Sequence, residues 1–398
     1  MKRVYITVVL TCLVMLAAFV GLFRVLNLSG GRDHLTIGFI YDNDESTPYT
    51  YNFSLAKDAV EKKYGKQVDI LTRSNVLDNE MEEPLRELAN AGCDIIFFNG
   101  YSETVIKMAP EYPDIEFCQT SYMDMSGQTV PENYHTFKGE AYQGRYVSGI
   151  AAGMKIRQMI GEGIITDDQA MVGFVAAFPT SEVISGYTAF ILGVRSVVPK
   201  AVMRVRYTQT WSSYAEEKSA AEKLISEGCV IISQHTDTIG PAIACEEMAE
   251  TKPVYFVGYN QSMSEVAPAT SLVTSRICWE PYVLAAVNAV MLERNIESVL
   301  NGHGRIHGHD VSAGFEHGWV AMEDLNLQAA APETEAAMNE AIARFSHGNV
   351  NFVFKGDYTG VNPDNPSDTI DLRSGYIENE NTSYPLFRYI LSDVVFIE

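Results

Sequence analysis

No nucleotide-binding P-loop, GxGxxG fingerprint or GxSxG elbow occurs anywhere in the 398 residues, so the usual marks of phosphate handling and serine catalysis are missing. Positive charge is also scarce. The chain has 29 basic against 51 acidic residues, and the net charge of -22 is spread along it, so most of the surface repels polyanions and nucleic acid is not an expected partner. Cysteine is sparse and unpaired in spacing. Beyond Cys12 there are Cys93, Cys118, Cys229, Cys245 and Cys278, an odd number with no CxxC pair, which argues against a disulfide framework or a metal knuckle. Cys93 and Cys229 each lie between a Gly and an apolar run, where a free thiol behaves as a small hydrophobe.

Long apolar runs are absent with one exception. Met1-Lys2-Arg3 leads into Val4–Phe23, close to the roughly 20 residues that span a bilayer core. Residues 1–28 therefore read as a membrane anchor or signal, with Lys2 and Arg3 favouring a cytoplasmic N-terminus and the rest of the chain outside the cytoplasm. The run is longer than the roughly 7–15 residues of a signal core, which favours a retained single span over a cleaved or lipid-anchored form. Cys12 sits inside the run with too short a core upstream for lipoprotein processing.

From Leu35 onward, short apolar runs alternate with helical patterns: LTIGFIY, VDILTR, DIIFFNG and IEFCQT, then MVGFVAAF, MRVRYTQTW, VIISQHT and VYFVGYN. Uninterrupted apolar strands separated by helices predict parallel sheets covered on both faces. Helices are expected near 53–63, 80–91, 140–159, 181–197, 213–227, 240–250, 280–300 and 332–347. A faint repeat predicts two similar lobes: LRELANAGCDII (85–96) recurs in kind as AEKLISEGCVII (221–232), each a helix closed by Gly at C′ and followed by a strand. The expected division is lobe 1 at 35–160 with a return near 262–305, lobe 2 at 170–260 with a return near 306–370, and a C-terminal segment at 371–398 packing on the lobes. In open α/β sheets ligands bind beyond the carboxyl ends of the strands, so the loops after the strands of two facing lobes describe a cleft.

Polar and aromatic residues recur at those strand ends: Tyr41, Asp42, Tyr49 and Thr50, Tyr101, Tyr122, Phe178, Trp211, His235 and Asp237, and Tyr259-Asn260. Aromatic faces with carboxylates and amides at their edges suit a small planar ligand. A second concentration is His303, His307, His309, Asp310 and His317, four of the chain's 8 His together with a carboxylate. Such groups can bind zinc. The glycines at 302, 304 and 308 mark a polar turn with no rigid spacing to fix the imidazoles, so a solvated connection without metal is expected.

The block from Met171 to Asn260 resembles the BMP (basic membrane protein) family of ABC-transporter substrate-binding proteins. The carrying residues are Val172-Gly173-Phe174-Val175, Phe178-Pro179 with Glu182-Val183-Ile184, Phe190 with Leu192-Gly193, and Val198-Pro199. They continue in Thr210-Trp211, Gln234-His235-Thr236-Asp237 and Gly258-Tyr259-Asn260, with EAYQGRYVSGIAAG (140–153) upstream. The resemblance implies a type I periplasmic-binding-protein fold, two Rossmann-like lobes joined by three crossovers. It also implies a ligand of the purine nucleoside class or, in the branch with a QHTD-like loop, a free purine base. By position, Tyr49 and Trp211 match aromatics on opposite sides of the base, and His235 and Asp237 match the polar loop of the second lobe.

Asn260 stands where the family usually has Asp. A carboxylate accepts from two ribose hydroxyls and an amide oxygen accepts more weakly, which weakens the case for ribose. The first loop also lacks the family's Phe-Asn or Gly-Trp pair. The resulting expectation is a solute-binding protein without enzymatic activity or cofactor, serving a permease and an ATPase of an ABC importer. A membrane-anchored ligand sensor on the same fold is the alternative.

Overall fold

A computed structural model describes residues 31–398, and the expected span at Val4–Phe23 lies outside the described residues. Among the described residues no helix is long and apolar enough to cross a membrane.

Two seven-stranded sheets form the two lobes. The first comprises β1 (Leu35–Ile40), β2 (Val68–Arg73), β3 (Ile95–Phe98), β4 (Glu116–Thr120), β5 (Tyr134–Gly139), β11 (Arg305–His307) and β12 (Asp310–Ala313), in the order β11-β12-β5-β4-β3-β1-β2. All neighbours are parallel except the β11–β12 pair. The second comprises β6 (Met171–Ala176), β7 (Val202–Tyr207), β8 (Ile231–His235), β9 (Tyr255–Tyr259), β10 (Ser271–Ile277), β13 (Val320–Glu323) and β14 (Val394–Phe396), in the order β13-β10-β9-β8-β6-β7-β14. Here β13 alone runs antiparallel to its neighbour. The central strands β1, β3, β6, β8 and β9 are buried on both faces. Leu35, Ile37 and Phe39 enter one core with α1 (Pro48–Tyr64) and α8 (Glu280–Met291), whereas Ile40, Ile96 and Phe98 enter another with α2 (Glu82–Asn90) and α3 (Glu103–Met108).

Local chemistry accounts for the helix ends. The Thr47 hydroxyl accepts from the Thr50 N–H and Pro48 takes the first helical turn of α1, where its missing N–H costs nothing. α2 and α6 (Tyr214–Ser226) both close at left-handed glycines, Gly92 (φ 82°) and Gly228 (φ 100°). In each the residue after the glycine donates back into the helix, Cys93 to the Leu88 carbonyl and Cys229 to that of Leu224. The single helix expected near 280–300 is two, α8 and α9 (Ile296–Leu300), broken at Glu293 (φ 50°) and restarted by the Asn295 cap.

Three boundaries differ from the expected ones. α4 (Ala141–Gly161), placed with lobe 1, packs on α5 (Ser181–Val197) and β10 in lobe 2. β10 joins the second sheet, although its residues fall within the expected return to lobe 1, and β11–β12 join the first sheet instead of lobe 2. The chain crosses between lobes after Gly139, after Ile277 and after Ala313. These crossings touch one another: a Cβ on Gly139 would meet Ile277 Cγ2 at 2.5 Å and the Trp319 carbonyl at 2.9 Å.

The C-terminal segment bonds to both lobes. Ser383 N–H and the Thr382 hydroxyl donate to Asp310 at the start of β12, and Glu378 accepts from Ser185 in α5. Asp310 also accepts from Ser121 and Thr136, so this buried carboxylate is fully engaged and plays no part in a histidine cluster.

Candidate functional site

The carboxyl ends of both sheets face a cleft with a cavity volume of about 110 Å³, lined by residues from both lobes. Asp42 follows β1 and is held by the Asn99 amide (2.9 Å), the Thr50 hydroxyl (3.2 Å) and the Asn43 N–H (2.8 Å). Burial raises its carboxyl above the ordinary range, and these donors work against that rise. Tyr49, at the start of α1, donates its hydroxyl to the Asn99 carbonyl at 2.6 Å and rests edge-on against Trp279.

From the second lobe, Asp237 is positioned by its own N–H, which donates to the Trp211 carbonyl at 2.8 Å. Its carboxylate accepts from the Tyr49 N–H at 3.1 Å, a hydrogen bond across the cleft. Burial first, and then the charge of Asp42, push the Asp237 carboxyl well above its usual range. His235, at the end of β8, touches Trp211 and Tyr259 edge to face. Burial, with Arg145 and Lys138 nearby, drives its pKa well below 6.5, so the ring is neutral and its 3.9 Å approach to Glu182 is no ion pair. Behind it the Arg145 guanidinium stacks on Tyr259, 3.4 Å from the ring centroid. Asn260 takes a left-handed conformation (φ 65°) at the end of β9, and its side-chain oxygen accepts from Asn52.

Asp42, Tyr49, Trp211, His235, Asp237 and Asn260 thus line one cleft. Four other expected residues do not line it, and of these Tyr41 is buried in the core of the first lobe. Thr50 is fully buried and holds Asp42, Phe178 supports Trp211 edge-on with ring centroids 5.6 Å apart, and Tyr101 stacks on the outer side of Tyr122. Tyr122 and Tyr259 line the cleft as well.

The pair that sequence reasoning missed is Lys138 and Glu182. Lys138, the penultimate residue of β5, is 2% exposed and donates to the Ser121 carbonyl (3.0 Å) and the Glu182 carboxylate of the other lobe (2.8 Å). A lysine inside the run YHTFKG was the available signal, because a buried ammonium demands a partner. Among the described residues, Lys138 is the one Lys or Arg lining the cleft, and Glu182 neutralises it. The wall therefore keeps two acidic groups without a matching cation.

A sequence model of the Bmp family, described as ABC transporter substrate-binding protein PnrA-like, matches residues 36–351. A purine-binding protein of Brucella abortus is 28% identical over 281 residues, 70% of this chain and 75% of that protein. A Haloferax volcanii protein named as a putative ABC transporter glucose-binding protein is 29% identical over 229 residues, 57% of this chain and 53% of that one. The solved structure of an ABC transporter solute-binding protein from Conexibacter woesei superposes with a TM-score of 0.62 at 16% identity, covering 80% of this chain and 99% of that one, which shows the fold. Sequence and fold agree, and the chain belongs to the Bmp family of PnrA-like ABC transporter substrate-binding proteins, a class that works outside the cytoplasm and catalyses no reaction.

Proposed function

We propose that the cleft captures a neutral, planar, N–H-bearing heterocycle of the purine-base kind and delivers it to the permease and ATPase of an ABC importer. The observation that carries this reading is the acidic, cation-poor lining of the wall. Asp42 and Asp237 face the cleft with raised pKa values, and Lys138 is already spent on Glu182. A ligand N–H placed at either carboxyl group finds a buried oxygen acceptor, whereas a phosphate would find acidic groups and no free cation to receive it. Trp211, Tyr49 and Tyr122 supply aromatic surface for a flat ring. Asn260, already accepting from Asn52, offers a poorer seat for two ribose hydroxyls than a carboxylate would. The purine-binding relative supports the same ligand class.

The test is a thermal-shift screen followed by calorimetry with purine bases, nucleosides, a nucleoside monophosphate and glucose. Bases should raise the melting temperature by mass action, and the monophosphate and glucose should not. Binding of glucose alone, or tighter binding of the monophosphate, overturns the ligand reading. Membrane extraction with mild detergent should co-purify a permease and an ATPase, and recovery of a signalling protein in their place would favour a sensor.

A further inference from the structure

Away from the cleft, the amino-terminal edge of the first sheet gathers three potential metal ligands from three separate elements. His135 is the second residue of β5, Glu297 lies in α9, and His309 occupies the turn between β11 and β12. One ligand atom from each lies within 4.8 Å of the others. His135 Nδ1 is 2.6 Å and His309 Nδ1 3.3 Å from the same oxygen, Glu297 Oε1. Tetrahedral zinc with bonds of roughly 2.0–2.1 Å sets its ligand atoms about 3.3 Å apart, so His309 already stands at that spacing and His135 needs to withdraw by less than about 1 Å.

Two further features point to a cation. Glu297 is 8% exposed, and its second oxygen, Oε2, is buried without a hydrogen-bond partner among the described residues. Both rings turn their Nδ1 atoms toward Glu297 and their Nε2 atoms toward other carboxylates, His135 toward Glu116 at 2.8 Å and His309 toward the exposed Glu132 at 3.9 Å. That is the arrangement in which an outer carboxylate fixes the tautomer and orientation of a metal-bound imidazole.

We propose that His135, Glu297 and His309 form a zinc site, with Glu116 as a positioning residue behind His135. Two imidazoles and one carboxylate suit zinc and not magnesium or calcium, which take oxygen ligands. The cation replaces the direct His135–Glu297 hydrogen bond and ties α9 and the β11–β12 turn to β5. Spacing along the chain could not show this, because only His309 of the histidine-rich turn takes part. His303 and His317 form a pair of their own with ring centroids 6.0 Å apart.

The test uses the full chain stripped with EDTA and titrated calorimetrically with zinc chloride, with cobalt(II) as a spectroscopic substitute. One equivalent of zinc should bind and raise the melting temperature, and cobalt should give the visible absorption of a tetrahedral site. His309→Ala should weaken zinc at least about 100-fold while melting in EDTA like the wild type. Glu116→Gln, which removes no ligand, should weaken it about 10- to 100-fold. The doubly substituted His303→Ala/His317→Ala chain should bind as the wild type does. Absence of saturable one-equivalent binding overturns the proposal, as do wild-type affinity in His309→Ala and loss of binding in the double variant.

Discussion

Trp211 shows how one side chain in the cleft depends on its neighbours. Phe178 meets it edge-on from behind, His235 from the side, and its backbone carbonyl receives the Asp237 N–H. Its indole is thus held in place, and a flat ligand stacking on it pays little to order it. Base–aromatic stacking is worth about 1–3 kcal/mol, so Trp211→Ala should weaken ligand binding about tenfold or more, read by calorimetry with whichever ligand the screen finds. Unchanged affinity would remove stacking from the account. Trp211 and Asp237 could be picked out in the sequence because each follows an apolar run in the place where strand ends meet ligand. Lys138 and Glu182 could not be paired in advance. They are 44 positions apart in different lobes, and only the juxtaposition of the two lobes brings them to 2.8 Å.

The pairing of α4 with α5 places a helix at the heart of the second lobe. Every residue from Ala141 to Ile156 is buried, so the helix has no solvent face before its last turn and its glycines there serve for contact. At Gly149 a Cβ would stand 2.1 Å from the Phe190 carbonyl, and at Gly193 it would stand 2.1 Å from that of Tyr146, so the two backbones touch. Gly193→Ala has to push the helices apart. Overpacking of this kind costs about 1–3 kcal/mol, and a lower urea midpoint with an unchanged slope is the expected result. Neither glycine's partner is legible in the sequence, and the expected lobe boundary at residue 160 differs from the observed packing of α4. Apolar content shows that a helix is buried without showing which sheet buries it.

Across the whole molecule the chain crosses between the lobes three times, and one of these crossings carries a buried acid. Glu140, 1% exposed, follows Gly139 and accepts from Gln143 (2.7 Å), Ser312 (3.1 Å) and Tyr142 (3.2 Å), with Arg305 3.4 Å away. Burial, opposed by Arg305, raises its carboxyl from 4.5 to about 7. Below about pH 4.5 both the folded and unfolded chains hold this proton and the group contributes nothing to the balance. Between about 4.5 and 7 the unfolded chain releases it while the folded chain keeps it, so stability falls as pH rises, and above about 7 the penalty is constant. Denaturant melts of wild type and Glu140→Gln should therefore differ by an amount that shifts by a few kcal/mol between pH 4.5 and 8, in favour of the variant at the higher pH. A difference independent of pH would show that Glu140 is ionised throughout.

Local chemistry by itself determined the alternating βα architecture, the helix-closing glycines at 92 and 228, and the set of loops in which the cleft residues lie. Apolar periodicity, caps and left-handed turns act within a few residues, and those interactions are written in neighbouring positions. Tertiary structure alone decided which strands the returning chain joins, that Asp310 is spent on the C-terminal segment, that Lys138 meets Glu182, and that His135 and Glu297 stand beside His309. Each of these depends on contacts between segments far apart in the chain, whose cost is repaid only when the lobes and their crossings assemble together.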